Sequence, residues 1–117
     1  MPRRRYDTVF FASWLSHVPP ELFASFWDML GQALSPLGRV QFIDEQPAGL
    51  EFYHETVLAD SPVPSVERRL ADGSRHPVVK IFYEPDELAE KLRGLGWEPQ
   101  VWPVDDVMFA GTARPCA

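Results

Sequence analysis

The chain has very little cysteine, which excludes several kinds of protein. Its 117 residues contain one cysteine, Cys116, next to the carboxyl terminus. A disulfide within the chain and a metal site built from thiolates are therefore excluded. Because proteins without disulfides are typical of reducing compartments, the composition predicts a cytoplasmic location.

Basic residues and long apolar runs are also scarce. The chain carries 11 Lys and Arg against 17 Asp and Glu, a formal net charge of −6 at pH 7. Since nucleic-acid binding comes largely from neutralising phosphates, this balance predicts that nucleic acid is not a partner. The longest apolar run covers residues 8–15. A membrane helix needs roughly 18 residues or more, so no membrane span is predicted.

Motifs for metal binding and for nucleophilic catalysis are missing. The histidines, His17, His54 and His76, have no short spacing of the H-x-x-x-H kind, so no metal site is predicted. No G-x-S-x-G marks a nucleophilic serine. The only G-x-G, at residues 94–96, closes a predicted helix, whereas a phosphate-binding loop opens one.

The residues that are abundant indicate one folded domain over residues 1–117. Hydrophobic residues make up 45% and charged residues 24% of the chain, which is ordinary for a globular domain of this length. The 12 prolines fall between apolar segments, where they mark the boundaries of helices and strands.

Residues 1–45 predict a strand, a helix and a second strand. Tyr6–Ser13 is short, apolar and rich in Val and Phe, as in a strand covered on both faces; a buried helix is the alternative. Pro19–Leu34 has the apolar spacing of a helix, and Gly38 is predicted to end it in a left-handed conformation. Arg39–Asp44 is predicted as a strand parallel to the first, because a helix connects them. The helical stripe comprises Leu22, Phe23, Phe26, Trp27, Leu30, Ala33 and Leu34.

Residues 46–117 predict a hairpin, a second helix and a final pair of strands. Asp72–Gly73 is a strong hairpin signal between two apolar segments. Proline and acids at residues 84–87 open a helix. The predicted strands are Val66–Leu70, Pro77–Tyr83, Glu98–Val104 and Val107–Ala113, the last two antiparallel, and the helical stripe is Leu88, Leu92 and Leu95.

The order of these motifs resembles that of class I S-adenosylmethionine (SAM)-dependent methyltransferases. In that family a strand of the type Asp-x-Val leads into Leu-x-His-Val-Pro, and a helix ending in Leu-x-Pro-Gly-Gly follows before the next strand. The later segments resemble the family's carboxyl-terminal helix and antiparallel last strand, so the resemblance covers essentially the whole chain. The matching residues are Asp7, Val9, Leu15, His17, Val18, Pro19, Leu34, Pro36 and Gly38.

The resemblance implies the fold class, the cofactor and the reaction. It implies an α/β fold: a partial Rossmann-like methyltransferase sheet with a parallel βαβ start, an antiparallel carboxyl-terminal strand pair and helices packed on it. SAM is the implied cofactor, and the implied reaction is methyl transfer to a small-molecule acceptor. Only the second half of such an enzyme is matched, since the family's glycine-rich cofactor loop has no counterpart in this sequence.

The resemblance also places cofactor and catalytic residues after the first strand, at the edge where α/β sheets bind ligands. Ala12, Ser13 and Trp14 are the implied cofactor contacts; the alternative for Trp14 is packing under the following helix. His17 is the candidate catalytic residue, because an imidazole there can accept a substrate proton. The alternative is a structural histidine that hydrogen-bonds the loop backbone.

Three further residues are candidates for binding the acceptor. Asp44 ends the second strand at the same edge of the sheet, although a solvated acid is the alternative there. Tyr53 and His54 lie in the insert that often shapes the substrate pocket in this architecture. His76, beside the hairpin turn, is predicted to be a surface residue.

The Tyr6–Ser13 strand is predicted to need a neighbour. In the family this strand lies inside the sheet, beside a strand from the half that is not matched. Burying Val9, Phe10 and Phe11 is worth about 1.5–3 kcal/mol each, which is comparable with the ~5–15 kcal/mol stability of a domain. We therefore expect a second copy or the missing amino-terminal half to cover this strand edge. The alternative function is a non-catalytic α/β module that dimerises or binds a partner there.

Overall fold

A computed structural model describes residues 5–48, 56–59, 61 and 63–116. The chain begins with strand β1 (Tyr6–Ala12), a single 3-10 turn (Leu15–His17), helix α1 (Pro20–Ala33) and strand β2 (Leu34–Glu45). Three short strands follow: β3 (Thr56–Val57), β4 (Ser65–Arg69) and β5 (Arg75–Val79). Helix α2 (Pro85–Gly94) leads into β6 (Trp97–Pro103) and β7 (Met108–Pro115).

The main sheet has four strands in the order β1-β2-β7-β6. β1 and β2 are parallel, with Phe11 beside Phe42, which confirms the predicted βαβ unit. β7 is antiparallel to both β2 and β6, as predicted for the final strand pair. A second sheet contains β3, β4 and β5. Its hairpin turns at the predicted glycine, because Gly73 has a φ of 86° that favours glycine.

Both helices pack on one face of the main sheet. Trp27 of α1 is fully buried, and its ring meets Phe42 of β2 and Trp97 of β6 edge-on, with centroids 5.8 and 5.0 Å away. Leu88 and Leu92 of α2 belong to the same buried cluster. Edge-to-face aromatic pairs add about 0.5–1.5 kcal/mol each beyond burial, so Trp27 lies at the centre of the core.

The prediction that β1 is covered on both faces is wrong for the described residues. Val9 and Phe11 point toward the helices and are partly buried in the core, whereas Phe10 on the opposite face is 64% exposed. The reason is that both helices lie on the same side. β1 also forms one edge of the sheet, since it pairs with β2 alone among the described strands.

The junction between α1 and β2 differs from the prediction at Gly38. β2 starts at Leu34, directly after the helix, rather than at Arg39, and Gly38 lies inside the strand without a positive φ. A Cβ on Gly38 would lie 2.9 Å from the carbonyl oxygen of Tyr6. Glycine at this position therefore allows two backbones to approach closely. It does not end the helix in a left-handed conformation.

The apolar stripes predicted for the helices are wider than the surfaces that the sheet buries. Leu22 of α1 and Leu95 after α2 are exposed, although both have the spacing of core residues. Leu34 is buried as part of β2 rather than of the helix. The buried residues are Phe23, Trp27, Leu30 and Ala33 on α1 and Leu88, Ala89 and Leu92 on α2.

Gly111 of β7 yields a stability test, because a Cβ at this position would collide with the ring of Phe42. We expect Gly111→Ala to lower the free energy of unfolding by about 1–3 kcal/mol, measured by urea denaturation. Gly94→Ala is the matched control, since nothing lies within 4 Å of a Cβ there, and it should not destabilise. Phe42→Leu should lessen the cost of Gly111→Ala. Equal stabilities of the two alanine variants would contradict this packing.

Candidate functional site

The loop after β1 begins in a strained conformation at the carboxyl edge of the sheet. Ser13 has a φ of 53° and donates its backbone N–H to the carbonyl of Ile43 at 2.9 Å. A left-handed conformation costs a non-glycine residue about 1–2 kcal/mol. Strain of this kind persists where the surroundings hold it in place, and it is concentrated at functional sites. Ser13 is one of the predicted cofactor contacts.

Asp44 holds this loop against β2. Its carboxylate, 1% exposed, accepts hydrogen bonds from the backbone N–H groups of Ser16 and Glu45, each at 2.8 Å. The carbonyl of Ser16 in turn accepts a hydrogen bond from the N–H of Ile81 at 2.8 Å. Asp44 is thus a buried positioning residue rather than the solvated acid of the alternative, and its contact with an acceptor stays a prediction.

His17 is oriented by the backbone of β5. Its Nδ1 lies 2.6 Å from the carbonyl oxygen of Val79, and because a carbonyl only accepts, Nδ1 carries the proton. In the neutral ring this leaves Nε2 as a proton acceptor. The partner is strand β5 rather than the loop backbone of the alternative, and the hydrogen bond selects the tautomer that a general base requires. His17 and the exposed Trp14 lie at one end of a groove of about 330 Å³ beside α1.

A buried ion pair beside this loop escaped the sequence analysis. Lys80 is 4% exposed, and its Nζ lies 2.7 Å from Oε2 of Glu45. Removing one partner of a buried pair typically costs about 3–5 kcal/mol, so the pair fastens the segment after β5 to the end of β2. The sequence does contain one signal for a buried charge, because Lys80 is a charged residue within the apolar run 77–83.

The remaining predicted residues are not brought into this site by the described structure. Tyr53 and His54 lie outside the described residues. His76 is exposed on the hairpin, where its Nε2 lies 3.0 Å from the Ser74 hydroxyl. Within the described ranges, no three His, Cys, Asp or Glu side chains are grouped to hold a metal ion. None of the described helices has the length and apolar character to cross a membrane.

These features together define an α/β protein with a ligand edge of the Rossmann type. Against the DhpI–SAH complex the chain has a TM-score of 0.78 and 36% identity, covering 98% of this chain and 50% of that one. Against the DhpI–SAM–HEP complex the TM-score is 0.81 and the identity is 39%, covering 97% of this chain and 52% of that one. The glycopeptide N-methyltransferase MtfA complexed with SAM has a TM-score of 0.68 at 13% identity, covering 100% of this chain and 57% of that one, and shows the fold alone.

These similarities confirm the predicted resemblance to class I SAM-dependent methyltransferases, the Rossmann-like methyltransferase fold and SAM as the cofactor of that family. The chain spans about half the length of the DhpI protein that it matches. No protein-family model matches the chain, and no curated protein matches its sequence.

Tyr83 yields a pH test of the site. Burial, and to a lesser degree the negative charge of Asp44, raises the pKa of Tyr83 to about 12 from its ordinary value of 10.0. Because the folded pKa exceeds the unfolded one, the contribution to stability is complete below pH 10 and is lost as the pH rises toward 12. We expect wild type to lose about 1–1.5 kcal/mol more than Tyr83→Phe between pH 8 and pH 11.

The measurement is urea unfolding of both proteins at the two pH values. Tyr6→Phe is the control, since the Tyr6 ring is exposed, and it should follow the wild-type pH dependence. If wild type and Tyr83→Phe lost the same stability, the hydroxyl of Tyr83 would not be buried as described.

Proposed function

We propose that the chain takes part in SAM-dependent transfer of a methyl group to a small-molecule acceptor. The supporting observation is the loop after β1, where strained Ser13, exposed Trp14 and oriented His17 stand together at the carboxyl edge of the sheet. Open α/β sheets bind ligands outside this edge. The chain is 39% identical to a protein solved with SAM and HEP.

The residues present fit one side of a cofactor site. Three consecutive residues, Ala12, Ser13 and Trp14, are exposed to solvent. They directly precede the buried residues Leu15 and Ser16. The Trp14 ring offers a flat apolar surface, and Asp44 holds the loop that carries it. When bound, SAM supplies a sulfonium-linked methyl group that is open to nucleophilic attack. The glycine-rich loop of the family would come from a separate half of the fold.

His17 is proposed as the general base. SAM would supply the methyl group to the acceptor and leave as S-adenosylhomocysteine, and the proton that the acceptor loses would pass to Nε2 of His17. Its hydrogen bond to Val79 keeps the ring in this orientation. A positioned base contributes about 10²–10⁴-fold to such a step, and alignment of the two reactants supplies much of the remainder.

The acceptor side of the proposal rests on charge and position. The net charge of −6 disfavours a nucleic-acid acceptor, so a small molecule is proposed. Asp44 acts by positioning the loop, and direct contacts to the acceptor are proposed for Tyr53 and His54. The single cysteine agrees with a cytoplasmic location.

A second candidate function is a non-catalytic module that dimerises through β1. The observation that favours it is the exposed edge of β1 with the apolar Phe10 on its surface. Such strand edges are templates for pairing with another chain. In this case the loop after β1 would bind no cofactor.

A fusion protein tests the proposed function. The part of DhpI that lies outside the similarity would precede this chain, and SAM would be titrated calorimetrically into the fusion and into the chain alone. We expect micromolar binding by the fusion and at least 10-fold weaker binding by its Trp14→Ala variant. Methyl transfer from radiolabelled SAM would be measured with HEP and other small acceptors.

His17→Gln should lower kcat of the fusion by at least 10²-fold, with little change in the Kd for SAM. His76→Gln, on the exposed hairpin, is the matched control and should leave both values unchanged. A folded fusion that binds no SAM would contradict the proposed function. A stable dimer of the chain alone without SAM binding would support the non-catalytic module.

A further inference from the structure

We infer that Lys80 and Glu45 are positioning residues for His17. Their ion pair fixes the segment at the end of β5, and the backbone of that segment in turn fixes the orientation and the tautomer of the imidazole ring. The inference rests on the proposed function and deepens it, since it names the residues that prepare the proposed base. In this role both residues act through His17 and not on the reacting atoms.

The segment at the end of β5 lies against the turn that carries His17. The carbonyl oxygen of Val79 lies 2.6 Å from Nδ1 of His17, and the N–H of Ile81 donates to the carbonyl of Ser16 at 2.8 Å. Lys80 lies between Val79 and Ile81 in the chain. A movement of its backbone would therefore shift both of these contacts with the turn.

Secondary structure does not fix this segment against the main sheet. β5 ends at Val79 and α2 starts at Pro85, so Lys80 lies in neither element. Among the described strands, the three strands of the second sheet pair only with one another. The position of the Val79 carbonyl relative to β2 therefore depends on side-chain contacts and on single backbone hydrogen bonds.

Glu45 supplies a fixed point on the main sheet. It ends β2, where it is paired with Met108 of β7, and its N–H donates to the Asp44 carboxylate at 2.8 Å. Oε2 of Glu45 lies 2.7 Å from Nζ of Lys80. Because Glu45 is held by its own strand, the ion pair transmits the position of β2 to the segment after β5.

The burial of the ion pair argues for a role in position. The side chains of Lys80 and Glu45 are largely removed from water, and apolar residues of similar volume are often equally or more stabilising at such a place. What an ion pair adds is a fixed distance between two atoms. Since the two charges compensate each other, the pair acts on His17 by geometry rather than by adding charge.

The tautomer of His17 is the property that this positioning controls. In water a neutral imidazole ring favours the proton on Nε2, whereas a hydrogen bond to a carbonyl oxygen selects the form with the proton on Nδ1. Only the Nδ1–H form leaves Nε2 able to accept a proton. If the Val79 carbonyl moved away, the proposed base would lose its accepting nitrogen.

Nitrogen-15 NMR of the chain without cofactor tests the inference. At pH 8, above the ordinary histidine pKa of about 6.5, we expect the wild-type His17 ring in the Nδ1–H form, with its signals assigned from His17→Gln. The double variant Lys80→Met, Glu45→Leu replaces the pair by apolar side chains and leaves no unpaired charge. We expect the ratio of Nδ1–H to Nε2–H forms to fall about 5-fold, the equivalent of one ordinary hydrogen bond.

Controls separate positioning from a general loss of structure. Arg93→Met breaks the exposed Arg93–Glu90 pair on α2 and should leave the His17 ratio unchanged. The ring signals of His76, on the exposed hairpin, should not change in either variant. Glu45→Ala breaks the pair from the side of the main sheet and is a second variant with the same expected fall. Thermal unfolding checks that each variant is folded.

The same variants in the fusion protein connect the ring to the reaction. The double variant should lower kcat by about 10-fold or more, because misplacing a catalytic group is costly, with little change in the Kd for SAM. Arg93→Met should leave both values unchanged.

The outcomes separate this inference from the proposed function. A tautomer that depends on the pair, in a fusion that transfers no methyl group, would uphold the positioning and contradict the proposed function. Methyl transfer at the wild-type rate by the double variant would uphold the function and overturn the inference. The inference is also overturned if wild-type His17 has the Nε2–H form, or if the folded pair variants keep the wild-type ratio.

Discussion

The whole arrangement depends on a core that lies on one face of the sheet. Trp27 of α1 brings β2 and β6 together through edge-to-face contacts with Phe42 and Trp97, and α2 packs into the same cluster. Because both helices are used on this face, Phe10 on the opposite face is exposed, and the β1 edge is paired with no second strand among the described residues. The position of the core on one face therefore determines which surfaces of the sheet are buried and which stay exposed.

The functional loop depends on the same architecture. β1 and β2 end at one edge because they are parallel, and Asp44 at the end of β2 accepts the N–H of Ser16 in the loop after β1. The strain at Ser13 and the orientation of His17 are maintained by this anchorage and by the backbone of β5. The Asp44 carboxylate is buried and accepts a hydrogen bond on each oxygen, and a buried group bonded in this way fixes geometry as well as stability.

The open side of the sheet and the ligand edge meet at the same place. The groove along α1 runs from Trp14 and His17 to Met29, so it begins beside the edge of the sheet where the proposed ligands would bind.

Local patterns in the sequence determined the order of elements, the parallel start, the antiparallel end and the Asp72–Gly73 hairpin, because periodicity and turn residues act over short distances. The resemblance placed Ser13 and His17 in the loop after the first strand, where the structure has them, and their binding and catalytic roles stay predictions. Only the tertiary structure decided which apolar stripes are buried, since Leu22 and Trp27 have equally good helical positions and differ in what lies opposite them. It also decided the roles of Asp44 and Gly38. The buried Lys80–Glu45 pair joins residues 35 positions apart, and such a contact arises only when the segment after β5 is brought against the end of β2.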